Sequence, residues 1–139
     1  MGDPKKTRSK YDTPVHPWQK ERLSKEKAMM KQYGLKNKRE FWKVNSRLEQ
    51  FKDTAKDLVT MTGDQADKER EKLFKKLKSY GLLREETLDN VLGLQVEQLL
   101  NRRLQTLVDR KDMARSPNQA RQMITHGHVK VDGKVVTSP

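Results

Sequence analysis

The chain has 139 residues, 32% hydrophobic and 36% charged, with a mean hydropathy of -1.06, a net charge of +12 and a pI near 10.0. That length holds one compact domain, or a small domain with an arm, and excludes a large enzyme core. So little apolar surface against the entropy of ordering the chain calls for a partner, and 31 basic against 19 acidic side chains make it a polyanion, either nucleic acid or an anionic membrane surface.

The charge is unevenly laid out: residues 1–52 carry a net +9, residues 53–100 a net -2 and residues 101–139 a net +5. Residues 1–16, with Lys5, Lys6, Arg8 and Lys10 among Gly2, Pro4 and Pro14, have neither helical nor strand period and read as an extended basic arm. A first helix is expected from about Pro17, with Trp18, Leu23, Met30 and Tyr33 on one side and Gly34 as its stop. The second is better marked. Asn37 and Glu40 have the spacing of a capping box, and Phe41, Val44, Leu48, Phe51, Ala55 and Leu58 recur at three and four up to Gly63.

Asp64 is placed to cap a third helix with Ala66, Leu73, Leu77 and Tyr80 as its apolar stripe and Gly81 as its stop. After a leucine-rich connection (Leu82, Leu83, Leu88, Leu92, Leu94), one further helix is expected over Val96, Leu100, Leu104, Leu107 and Val108, carrying Arg102 and Arg103.

Ser116, Pro117 and Gln119 then stand where the N-cap, first and third residues of a short helix belong, with Ala120, Met123 and Ile124 as its apolar side and Gly127 as its end. Its polar side holds Asn118, Arg121, Gln122 and Thr125. Asp132-Gly133 predicts a two-residue hairpin in which Val129 opposes Val136 and Val131 opposes Lys134, while Lys130 and Val135 share the other face. With the valine pair packed on the helix, His128 and Lys130 point outward. The helix start at Ser116 offers free N–H groups to a phosphate, with Arg115 and Arg121 nearby. No recognition helix for a DNA groove, zinc finger or basic zipper is present, so RNA read by shape and phosphate fits better than DNA.

The stretch Ala114-Arg115-Ser116-x-x-Gln119-Ala120-Arg121-Gln122-x-Ile124-x-His126-Gly127-His128-Val129-x-Val131-Asp132-Gly133-Lys134 resembles the RNA-binding domain named after the S-four ribosomal protein. Upstream, residues 33–40, Arg102 to Thr106 and the Pro17-Trp18 opening are similar to the archaeal and eukaryotic branch of that ribosomal protein family. The resemblance implies a mainly helical α+β chain: a basic arm (1–16), a helical unit (17–95) and an S-four-type RNA-binding domain (96–139) truncated after Ser138-Pro139, where relatives continue into further strand. It also implies a non-catalytic, cytoplasmic protein of the small ribosomal subunit. Such a protein binds small-subunit ribosomal RNA, helps nucleate assembly by holding a multi-helix junction, and lies near the messenger entry path beside neighbours such as the S-five family. Carried over by position, the RNA-facing set is Arg115, Ser116, Gln119, Arg121, Gln122, His126, His128 and Lys130, extended by Arg102 and Arg103. The arm's Lys5, Lys6, Arg8 and Lys10 are added as phosphate contacts on charge alone.

Other readings are weaker. No cofactor or metal is expected: His126, His128 and His16 are the only histidines and there is no cysteine, so a zinc site would need carboxylates from elsewhere. Phe41, Phe51 and Tyr80 read as core rather than as platforms for bases. Glu85-Glu86 has no nucleophile or phosphate loop beside it, which argues against catalysis. No membrane partner is expected: no apolar run approaches the roughly 20 residues of a span, and a peripheral membrane protein laying the basic arm and first helix on anionic lipid is kept as the rival from a different class. The remaining alternatives are a ribosome-assembly paralogue acting on precursor RNA and a free-standing RNA-binding factor.

Overall fold

A computed structural model describes residues 9–83 and 85–139, so the expectations for Lys5, Lys6 and Arg8 lie outside the described residues. Among the described residues, seven helices and a hairpin follow in chain order: α1 (Lys20–Tyr33), α2 (Lys38–Thr60), α3 (Asp64–Ser79), α4 (Leu88–Leu92), α5 (Val96–Asn101), α6 (Leu104–Arg110), α7 (Pro117–Thr125), β1 (Lys130–Val131) and β2 (Lys134–Val135). The mainly helical α+β class expected from the sequence is what is found.

Apolar packing falls into three clusters. Leu48, Phe51, Ala55 and Leu58 of α2 meet Leu73 and Leu77 of α3 and Val91 of α4. Tyr33 and Leu35 at the end of α1 enclose Leu100 of α5 with Phe41 and Val44 of α2. Val108 of α6 packs on Ala120 and Ile124 of α7 and on Val129 before the hairpin. The 23-residue α2 is therefore the spine: its apolar stripe, recurring at three and four, faces α3 and α4 at one end and α1 and α5 at the other.

Local sequence rules account for most element ends. The Asn37 side chain accepts from Glu40 N–H at 3.1 Å and opens α2, and Ser116 does the same for α7 through Gln119 N–H, with Pro117 just inside. The hairpin pairs Lys130 with Val135 and Val131 with Lys134, and Val136 N–H bonds the Val129 carbonyl at 3.1 Å, which is the predicted register. Both turn residues, Asp132 and Gly133, have positive φ, as a two-residue turn matched to strand twist requires.

Four expectations need correction. The helix expected over residues 96–108 is two helices, α5 and α6, broken at Arg102 and Arg103. The Thr106 hydroxyl donates to the Leu100 carbonyl at 2.8 Å, and Arg103 takes an extended conformation with its guanidinium drawn to Glu40. The leucine-rich connection contains α4, started by Thr87, whose hydroxyl accepts from Asn90 N–H. Asp64 is the first residue of α3 rather than its cap, a position Gly63 takes. Trp18 precedes α1 and is 89% exposed, so it contributes nothing to that helix's apolar side.

Residues 9–16 form no helix or strand, yet they are fastened to α2. The Asp12 N–H donates to Ser46 Oγ at 2.9 Å and the Tyr11 ring lies over Trp42, centroids 6.1 Å apart. Trp42 in turn donates from Nε1 to the buried Glu26 carboxylate at 3.2 Å, and Glu26 also pairs with Arg22 and Lys38.

Candidate nucleic-acid interface

The C-terminal unit is a two-sided object. Ala120 and Ile124 bury one side of α7 against Val108, leaving Asn118, Gln119, Gln122 and Thr125 on the exposed side. Helix α7 closes with Gly127 N–H on the Ile124 carbonyl and His128 N–H on the Met123 carbonyl, both at 2.9 Å, which turns the chain sharply into the hairpin. That turn brings the exposed His126 and His128 rings side by side, centroids 6.3 Å apart, with exposed Lys130 following. Of the expected valine pair, Val129 packs on the α7 cluster and Val136 opposite it is half-buried, while Val131 and Val135 are 43% and 53% exposed.

At the other end of α7, Arg115 is exposed and its backbone N–H is held by Gln119 Oε1 at 2.8 Å. Ser116 and Gln119 thus spend their oxygens on the helix start, which holds the Arg115 backbone, while the Ser116 hydroxyl and Gln119 Nε2 can still donate outward. Arg102 is exposed at the break between α5 and α6, and Lys10 is exposed beside the Tyr11 anchor. Among the described residues, no three histidine or acidic side chains converge as a metal ion would require, and no helix is long and apolar enough to cross a membrane.

Arg121 departs from the outward orientation expected of it. Its guanidinium makes a two-pronged contact with Glu40 of α2, Nη2 to Oε1 at 2.7 Å and Nη1 to Oε2 at 3.0 Å. Arg103 reaches the same carboxylate at 3.2 Å. Burial by itself would raise the Glu40 pKa, but the hydrogen bonds and charges of Arg121 and Arg103 outweigh it and hold the carboxyl below its ordinary range. Two cations on one carboxylate leave this cluster with a net positive charge, so it stays attractive to phosphate while serving as a clamp.

A second tie lies alongside. Gln105 is 1% exposed, and its Nε2 donates to the Gly34 carbonyl at 3.0 Å and to the Pro117 carbonyl at 2.9 Å. It thereby joins the end of α1 to the start of α7. Glu40 and Gln105 are the site residues that sequence reasoning missed. For Glu40 a signal existed, since it is the one acid between Glu26 and Glu49 in a stretch holding seven Lys and Arg residues.

Two protein families match the chain in succession. The ribosomal protein S4/S9 N-terminal domain family matches residues 3–101 and the S4 domain family matches residues 102–139. The small ribosomal subunit protein uS4 of Methanococcus maripaludis is 51% identical over 141 aligned positions, covering 100% of this chain and 79% of the relative. Those of Methanococcus aeolicus and Methanococcus vannielii are each 49% identical, covering all of this chain and 80% and 79% of theirs. With both segments matched in order and about half of the aligned positions identical to archaeal relatives, the chain belongs to the uS4 family of small-ribosomal-subunit proteins.

Proposed function

We propose that this chain is a structural component of the small ribosomal subunit that binds small-subunit ribosomal RNA directly, through the face formed by the break before α6, the start of α7 and the hairpin. The observation that carries this reading is the one-sidedness of that unit. Arg115, Gln122, His126, His128 and Lys130 are exposed around α7 and the hairpin, the opposite side of α7 is packed with Val129 against it, and Arg102 is exposed nearby. A fixed array of donors and cations suits the shape and phosphate readout that folded RNA demands. The names carried by the relatives point to the same particle.

On this reading residues 96–139 are the RNA-binding domain, residues 17–95 the helical unit that docks it, and residues 1–16, with Lys5, Lys6, Arg8 and Lys10, a further phosphate contact. The protein works in the cytoplasm as part of the subunit, helps nucleate its assembly at an RNA junction near the messenger entry path, and meets neighbouring ribosomal proteins such as the S-five family. Its role is architectural rather than catalytic.

A filter-binding titration against a small-subunit RNA junction tests the interface. Arg115→Ala should weaken binding by about 1–3 kcal/mol with the fold intact, as expected for loss of a charge-assisted phosphate contact. Arg121→Ala should weaken binding comparably and also lower stability, because Arg121 holds Glu40. Unchanged affinity in both variants rejects the interface.

A further inference from the structure

Away from α7 and the hairpin, a groove of about 390 Å³ opens between α2, the turn after α3 and the end of α5. Phe51, Val44, Leu82 and Leu99 line it with apolar surface, and the Tyr80 ring forms part of its wall. Lys43, Arg47, Arg102 and Arg103 stand around it, and no carboxylate lines it among the described residues.

Tyr80 does not behave as the core residue its spacing suggested. It is 37% exposed, tilted over Phe51 with centroids 6.3 Å apart, and its hydroxyl accepts from Arg47 Nη2 at 3.1 Å, so the ring is held in place while open to solvent. Next to it, Gly81 has a φ of +66°, and a Cβ there would stand 3.1 Å from the Arg102 guanidinium carbon. The bare backbone lets that guanidinium lie against the turn. Arg103 connects the groove to the clamp, since it lines the one and bonds Glu40 in the other.

An apolar slot with a fixed aromatic ring and cations on its rim matches a flat, apolar-faced group flanked by negative charge. A purely apolar partner would strip water from Lys43, Arg47 and Arg102, with Arg103 already on Glu40, and return no counter-charge. We propose that the groove takes one unpaired nucleotide of the bound RNA, its base against Tyr80 and Leu82 and its flanking phosphates on Lys43, Arg47 and Arg102. The inference rests on the ribosomal RNA reading above and adds to it a site where the helical unit meets the break before α6, sharing Arg102 with the C-terminal face. Stacking on an aromatic side chain is tolerant of base identity and is lost when the ring is removed.

Chemical probing with dimethyl sulfate and a carbodiimide, which together reach all four bases, on small-subunit RNA bound to the full chain, tests this. The wild type should protect one base, or two adjacent bases, that regain reactivity in the Tyr80→Ala complex, while the remaining protections persist and affinity falls about 5- to 100-fold. Tyr80→Phe, which keeps the ring, should retain the protection. Because Tyr80 packs on Phe51, Arg102→Ala serves as a second variant at an exposed position and should weaken protection of the same base. If Tyr80→Ala and Arg102→Ala leave every protection as in the wild type, the nucleotide site is overturned and an acidic peptide becomes the better occupant. If the wild type protects no base and binds no RNA, the ribosomal RNA reading itself falls.

Discussion

Glu40 is where three requirements meet in one residue. Its backbone N–H completes the Asn37 cap of α2, while its carboxylate, 18% exposed, receives Arg121 and Arg103 from far along the chain. Charges this sheltered are costly to leave alone, so Glu40→Gln should lower stability by about 1–3 kcal/mol in urea unfolding at neutral pH. The pH dependence has a definite sign. Since the folded-state pKa lies below the ordinary value, the carboxylate's contribution is complete above the ordinary glutamate range and drains away as pH falls through the folded value. The wild type should therefore lose stability on acidification more steeply than Glu40→Gln, and parallel curves from pH 7 to 3 would reject this role. Sequence exposed only part of it: the cap spacing was legible, the clamp was not, because both arginine partners lie more than 60 positions away.

Elements defined by their own neighbours were legible, and those defined by distant contacts were not. Helix α2, helix α7 and the hairpin register follow from caps, three-and-four periodicity and a two-residue turn, all within a few positions. The break between α5 and α6 has no glycine or proline to announce it. It arises because the Leu100 carbonyl and Arg103 find partners outside the helix ladder. The exposure of Arg115, Gln122, His126, His128 and Lys130 was readable for the same local reason as α7, whereas the inward turn of Arg121 depends on a helix eighty positions earlier. At this scale Gly34 is the most constrained link. It has a φ of +60°, and a Cβ there would fall 2.7 Å from both Gln105 Nε2 and Pro117 Cβ. Gly34→Ala should cost about 1–3 kcal/mol, combining backbone strain with displacement of the Gln105 tie. Gln105→Ala, which leaves two sheltered carbonyls without that donor, should cost a similar amount, and thermal unfolding of the two variants at wild-type midpoints would reject the tie.

For the molecule as a whole, charge distribution matters more than total charge. The middle third is slightly acidic, and the excess cations sit at the two ends. Affinity for the RNA should fall steeply and log-linearly with salt, and Arg115→Ala should reduce that slope by about 0.7 to 1. A slope unchanged by the substitution would mean that Arg115 meets no phosphate. The packing has its own consequence. Each of the three clusters is greasy inside, but the C-terminal one is tied to the other two largely by an ion triad and an amide. Such a joint can be prised open with little oil laid bare, since water and salt ions readily solvate what it separates. Acid or mild denaturant should loosen this knuckle before either side melts, and an RNA gripping both sides would act as its splint.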